Sequence, residues 1–257
     1  MLPSPAPSIY RLYESLYATL PPDSQAGLGG KLLYAGAIRP QSRNLLYAAN
    51  IAGAASLAAS AEPVILREAM RDGVIDFLVN SLEEALRILK NEIRKHQTVS
   101  VGVSIEPHPL VAQMTERGVL PDLLPPVSWP DGEASLKLAQ AEVFLVQGAK
   151  RIADSGTQQA PAIAETAEFM TWSVDKNFAR WLPRLDACAQ AVIPADDLPR
   201  LRWLRLAPRY LGKLANREHG VALSIEEKIR FTAEVEQLVD KQKGEGGETP
   251  KVTIAGE

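Results

Sequence analysis

A single cysteine, Cys188, stands in a chain of 257 residues. This excludes an intramolecular disulfide framework and a thiolate-held metal cluster, and it suits a reducing compartment. Histidine is almost as scarce: His96, His108 and His219 are scattered without metal-ligand spacing, so no metal is expected. No stretch approaches the roughly 18 uninterrupted apolar residues that a membrane span needs. The opening Met1-Leu2-Pro3-Ser4-Pro5-Ala6-Pro7 has neither the basic start nor the apolar run of a secretory leader, and a cytoplasmic location is the expectation. An excess of positive charge is also missing. With a net charge of -3 and a pI near 5.8, nothing global draws the chain to nucleic acid or to an anionic membrane, and neither is expected as a partner. What is present is an ordinary globular composition, 46% hydrophobic and 23% charged, long enough for one sizeable core or a core plus a smaller subdomain.

After the proline-rich start, Ile9, Leu12, Tyr13, Leu16 and Tyr17 recur at helical spacing, and Pro21-Pro22 ends that helix. Short apolar runs at Lys31 to Ala37, Ala55 to Ser60, Ile75 to Val79, Val99 to Val103 and Asp122 to Leu124 then read as buried strands. Periodic stretches at Asn44 to Ile51, Val64 to Arg71, Ser81 to Lys95 and Pro109 to Arg117 read as helices between them. Ser81-Leu82-Glu83-Glu84 carries the capping-box pattern of a helix start. Alternating strands and helices with short connections imply a parallel sheet covered on both faces.

From about Glu133 the strand signal nearly vanishes. Amphipathic stretches at Glu133 to Ala153, Ala162 to Ala191, Leu198 to Asn216 and Ser224 to Gln242 give a mostly helical second half. Lys243 to Glu257, rich in glycine and charge, is expected to be disordered. The resulting division is an α/β domain over 1–130, a helical extension over 131–242 and a tail over 243–257.

The order of the pieces in the first half carries more than any one of them. Lys31-Leu32-Leu33-Tyr34-Ala35-Gly36-Ala37 is followed by Ala52-Gly53-Ala54-Ala55-Ser56-Leu57-Ala58 and Glu62-Pro63. Then come Gly73-Val74-Ile75-Asp76, Ser81-Leu82-Glu83-Glu84-Ala85-Leu86, Val99-Ser100-Val101-Gly102 and Glu116-Arg117-Gly118-Val119-Leu120-Pro121-Asp122-Leu123. Over Gly30 to Leu124 this succession resembles the central NAD-binding region of urocanase, the lyase that hydrates urocanate to imidazolonepropionate. The resemblance implies a Rossmann-like parallel sheet with helices on both faces, here with a helical C-terminal extension, and NAD as the family's cofactor.

The chain departs from that family where the cofactor would sit. The family's first strand runs into a loop of the type GLGGMGGAQ, where missing side chains let backbone amides approach a pyrophosphate at a helix N-terminus. The aligned loop here, Ala37-Ile38-Arg39-Pro40-Gln41-Ser42-Arg43-Asn44-Leu45, contains no glycine, and Pro40 removes an amide donor. Gly27-Leu28-Gly29-Gly30 lies before the strand and reads as a turn. The acidic residue that would take the adenosine ribose aligns with Ser60, the family's GNA aligns with Ile105-Glu106-Pro107, and its TDQTSAHD segment falls on Pro125-Pro126-Val127-Ser128 onward, with neither its Gln nor its His kept. The family's outer YIGSQG-type and HHGGG-type segments and its cysteine-bearing segment find no counterpart. No cofactor is therefore expected, although the resemblance points to NAD.

Ligands of open parallel sheets bind beyond the carboxyl ends of the strands. That edge gathers Arg39, Gln41, Ser42 and Arg43 from the first loop, Ser60 from the second, and Glu106 and His108 from the loop Ile105 to Pro109. Two arginines beside helix-terminal amides make a chemically sensible cradle for a small anion or a nucleotide; a solvated loop is the plainer alternative. Glu106 and His108 could share a proton, but no serine or cysteine nucleophile accompanies them, and no catalytic residue is assigned. Cys188 reads as a helix core position, His96 as a helix-end cap and His219 as part of a helix-ending turn. Arg200, Arg202, Arg205, Arg209, Lys213 and Arg217 interleave with Leu201, Trp203, Leu204, Leu206 and Tyr210; docking on acidic helices or on another subunit is preferred to a membrane or nucleic acid. Trp172, Trp181 and Trp203, in helices that a small domain could leave partly open, make an oligomer plausible. Three readings stay open: a binding or regulatory protein using the rewritten crevice, an accessory subunit completed by a partner chain, and a divergent NAD-dependent lyase. Urocanate hydration by this chain alone is not expected.

Overall fold

The computed structural model describes residues 4–20, 27–125, 144–145, 150–151, 167–212 and 218–256. They fall into two compact units, one formed by Ser8–Pro161 and the other by Met1–Pro7 with Ala162–Glu257.

The first unit is built on strands β1 (Leu32–Ala37), β2 (Ala55–Ala59), β3 (Phe77–Val79), β4 (Val99–Val103), β5 (Leu123–Leu124), β6 (Phe144–Leu145) and β7 (Lys150–Arg151), in spatial order β3-β4-β2-β1-β5-β6-β7. All pairings from β3 to β6 are parallel, and only β6 with β7 is antiparallel. Helices α1 (Ala6–Tyr17), α2 (Pro40–Ala52), α3 (Pro63–Arg71), α4 (Leu82–Arg94) and α5 (Pro107–Glu116) complete the described elements of this half. The alternation of strand side chains divides the helices between two faces. Leu57, Val101 and Val103 pack with Leu82, Ala85 and Leu89 of α4 and with Leu110, Val111 and Met114 of α5. On the opposite face, Asn50 of α2 reaches Ser100 of β4, while Leu66 of α3 and Ile75 approach Gly102 so closely that a Cβ there would lie 2.8 and 2.5 Å from them.

Local chemistry fixes the element ends. Pro40, Pro63 and Pro107 each open a helix at its first turn, where an amide hydrogen has no intrahelical acceptor to lose. Ser81 caps α4 by accepting from the Glu84 amide, and Glu84 returns a carboxylate to the Asn80 amide. The glycine-rich segment before β1 is a turn, as expected. Gly30, at φ +90°, lies against His96, whose Nδ1 is 3.0 Å from the Gly29 carbonyl.

The second unit corrects the sequence reading. It is helical in large part, with a 3-10 turn at Lys176–Trp181, α6 (Leu182–Val192), α7 (Leu198–Tyr210) and α8 (Ile225–Gly244). These surround an antiparallel sheet that periodicity did not reveal, made of β8 (Glu168–Val174), β9 (His219–Leu223) and β10 (Val252–Gly256) in the order β10-β8-β9. The tail expected to be disordered thus supplies a strand, with Val252 to Gly256 paired against Val174 to Met170. His219 opens β9 instead of closing a helix. Trp172, Trp181 and Trp203 are all buried, which removes the reason they gave for an oligomer. Of the helix expected over Glu133 to Ala153, the described residues Phe144–Leu145 and Lys150–Arg151 are strands and the others lie outside the described residues, while the helix expected over Ala162 to Ala191 is replaced by β8 at Glu168–Val174 and begins only with the turn at Lys176–Trp181.

Candidate functional site

The strands β1, β2, β3 and β4 end side by side. The Ile38 amide donates to Ala59 O, the Ser60 amide to Val103 O and the Ser104 amide to Val79 O, so the loops that follow form one row along the carboxyl edge. The helices α2, α3, α4 and α5 start from this row, and their N-termini turn partial positive charge and unpaired amides toward it. The residues at their caps are Arg39, Glu62, Ser81 and Glu106.

The first loop is closed on itself by Ser42. Its Oγ accepts from the Arg39 amide at 2.7 Å and donates toward the carbonyls of Ala37, at 2.5 Å, and Arg39, at 3.0 Å. Only this backward half of a capping box is chemically possible, because a guanidinium has no acceptor to offer in return. Upstream, β1 carries a bulge between Tyr34 and Gly36, and Gly36 sits at φ +73°. A side chain is rarely tolerated at that angle, so the strand's last turn before the loop depends on this glycine. Beneath it Tyr34 is fully buried, and burial pushes its phenol well above the ordinary tyrosine range. Its hydroxyl reaches the Pro107 carbonyl at 3.4 Å, beside the start of α5.

The two arginines differ. Arg39 is exposed, and among the described residues its guanidinium makes no hydrogen bond or ion pair. Arg43 is paired with Asp72, with Nη2 and Oδ2 2.5 Å apart, and Tyr47 secures the same corner by donating to the Asp72 carbonyl. Asp72 lies 29 residues further along the chain, and no local pattern could have matched it to Arg43. Gln41 is exposed beside Arg39. Ser60 is buried, and its Oγ accepts from the Glu62 amide at 3.1 Å. Glu106 and His108 are both exposed at the start of α5, with no hydrogen bond or ion pair joining them among the described residues. All seven residues singled out from the sequence thus lie along this edge or in the first turns behind it. Glu62, which sequence reasoning passed over, adds a second exposed carboxylate to the row.

Away from this edge, Asp186 of α6 is a buried carboxylate. It accepts from Trp172 Nε1 at 2.9 Å and contacts His219 Nδ1 at 2.8 Å. Cys188, two residues on, is partly buried, and burial pushes its thiol upward from the usual range. No group of three or more His, Cys, Asp and Glu side chains converges as a metal site among the described residues. Nor is any described helix long and apolar enough to cross a membrane.

Comparison with protein families matches residues 15–126 to the urocanase Rossmann-like domain.

Proposed function

We propose, from the match of residues 15–126 to the urocanase Rossmann-like domain, a binding or regulatory role in which the carboxyl-edge crevice takes a small anion or a nucleotide, without hydrating urocanate on its own. The observation that carries this reading is the self-closed loop after β1. A dinucleotide held in the family's manner needs bare backbone at that turn. Here the Ser42 hydroxyl already occupies the Arg39 amide, and Pro40 offers none. The residues present do not fit NAD in that pose. They fit a smaller anion better, because Arg39 is the one basic cap in the row and its guanidinium extends into solvent beside the amides of α2. Arg43 would contribute only by exchanging Asp72 for the ligand, which makes it the weaker of the two. Exposed Glu62 and Glu106 repel a highly charged ligand and favour one of modest charge. A cytoplasmic setting belongs to the same reading.

An accessory subunit is the second reading, favoured by the aliphatic and aromatic side chains of Val64, Met70 and Phe77 left exposed on α3 and the edge strand β3. The deciding experiment titrates phosphate, adenine nucleotides and NAD against the intact chain, Arg39→Ala and Arg43→Ala. Loss of one charge-assisted contact is worth about 1.5–3 kcal/mol, so Arg39→Ala is expected to weaken binding roughly ten- to a hundredfold, with Arg43→Ala milder. Equal binding by all three proteins removes the arginine-built site. No binding by any of them gives the accessory reading precedence.

A further inference from the structure

In the second unit, Asp186 of α6 fixes how the His219 ring is used. A carboxylate only accepts, so His219 Nδ1, 2.9 and 2.8 Å from its two oxygens, carries the ring proton, and Trp172 Nε1 donates to the same carboxylate at 2.9 Å. Nε2 is then the ring's acceptor. Among the described residues it has no hydrogen-bond partner, although the side chain is only 9% exposed. Beside it lies a hollow of about 10 Å³, room for one water-sized group, partly open to solvent. Leu204, Ala207 and Leu211 give it aliphatic walls, and half-buried Glu218 adds a carboxylate. The indole N–H of Trp203, also at its wall, already donates to the Gly220 carbonyl. The side chains around the hollow thus present acceptors and negative charge, with every donor among them engaged.

We propose that this hollow is a binding site for a primary ammonium group carried on a short aliphatic chain. An ammonium brings the N–H donors and the positive charge that two carboxylates and a bare imidazole nitrogen call for. One N–H donates to His219 Nε2 and another to the Glu218 carboxylate, while the methylene next to nitrogen rests on the aliphatic walls. A hydroxyl would satisfy Nε2 but brings no charge to Glu218, and an anion would meet two carboxylates with no donor to receive it. The space admits the head group and leaves the chain to run out through the open side. A quaternary ammonium, with four carbons around nitrogen and no N–H, is refused by size and by chemistry alike. Asp186 acts through the ring, as the positioning residue that keeps the proton on Nδ1 and leaves Nε2 to accept.

Titration of the isotope-labelled intact chain with n-butylammonium chloride, followed through the imidazole nitrogen resonances, tests this. With three histidines in the chain, the His219 signals are assigned by their loss in His219→Gln. The His219 Nε2 resonance should move and saturate, with a dissociation constant in the millimolar range, and tetramethylammonium chloride at the same ionic strength should leave it in place. Glu218→Gln should weaken binding roughly tenfold, the loss of one charge-assisted contact, and Ala207→Leu, which fills the hollow without touching a polar atom, should remove it. In Asp186→Asn the amide oxygen stays with Trp172 and the amide nitrogen donates to Nδ1, which moves the ring proton to Nε2. That variant should lose binding and shift both ring resonances even without ligand; if it does not fold, Glu218→Gln and Ala207→Leu decide. No saturable shift in the wild type, an equal response to tetramethylammonium, or binding unchanged in Glu218→Gln and Ala207→Leu would overturn the proposal.

Discussion

The ion pairs of this chain differ by how much water they have lost. Lys31 with Asp122 and Arg87 with Glu83 are exposed, and pairs of that kind contribute little. Arg200 is another matter. Its guanidinium donates to both carboxylate oxygens of Glu227, at 2.6 and 3.0 Å, to Asp197 at 2.6 Å and to the Ala222 carbonyl at 3.1 Å, joining α7, β9 and the start of α8. Burial alone would push the Glu227 carboxyl upward. The hydrogen bonds from Arg200 and from the Ser224 cap outweigh it, so the group sits below its ordinary range. A depressed carboxyl contributes stability that is present above its unfolded value, about 4.3, and is lost as pH falls toward the folded one. Glu227→Gln leaves Arg200 without its main partner and should cost about 3 kcal/mol at neutral pH. The gap from wild type should narrow below about pH 4, where the native carboxyl also takes up its proton. Urea melts of both proteins at several pH values check this, and a gap independent of pH would contradict it.

At the scale of elements, the parallel half was legible because its strands are buried on both faces and its helices on one. The run Val99 to Val103 is β4, Val64 to Arg71 lies within α3, and Ser81 caps α4 as its pattern implied. The edge of the crevice could be located for the same reason, since it follows from strand order. What the arginines there touch could not, because Arg43 meets a residue brought near only by the fold. The second half misled by composition. In β8, Glu168-Phe169-Met170-Thr171-Trp172-Ser173-Val174, both sides are buried through Phe169 to Trp172, so no alternation marks a strand. In β10, Val252-Thr253-Ile254 follows a stretch of glycine and charge that hides it. This reverses the expectation that the tail is dispensable. Ending the chain at Gly244 would strip β10 from β8, expose that strand's edge and release half-buried Val252 and Ile254. A loss of about 2 kcal/mol, or roughly 4–8 °C in melting temperature, is expected by differential scanning calorimetry. An unchanged melting temperature would mean that the strand contributes nothing to the fold's stability.

For the molecule as a whole, the question is whether a chain that matches the urocanase Rossmann-like domain over residues 15–126 can run urocanase chemistry. The family match covers residues 15–126, and the described residues from 167 onward build a second unit around an antiparallel sheet with its own buried polar network. Within the matched domain, the row at the carboxyl edge offers Arg39, Glu62, Glu106 and His108, all exposed. Exposed groups in high dielectric stabilise developing charge poorly, and no pair among them is hydrogen-bonded as an acid and base would need to be. The chain's one thiol lies in α6 of the other unit, with burial holding it toward its neutral form. On the proposed reading, Pro40 and the Ser42 hydroxyl stand in the way of the family's pose of NAD. Purified protein given urocanate and NAD should therefore leave the substrate's ultraviolet absorbance at the level of a protein-free control. The informative contrary result is turnover that rises in proportion to protein and disappears in Ser42→Trp, whose indole would fill the loop that the hydroxyl now closes. Such turnover would mean that the self-closed loop opens in solution to admit the cofactor, and the anion-binding reading of the crevice would give way to an active lyase.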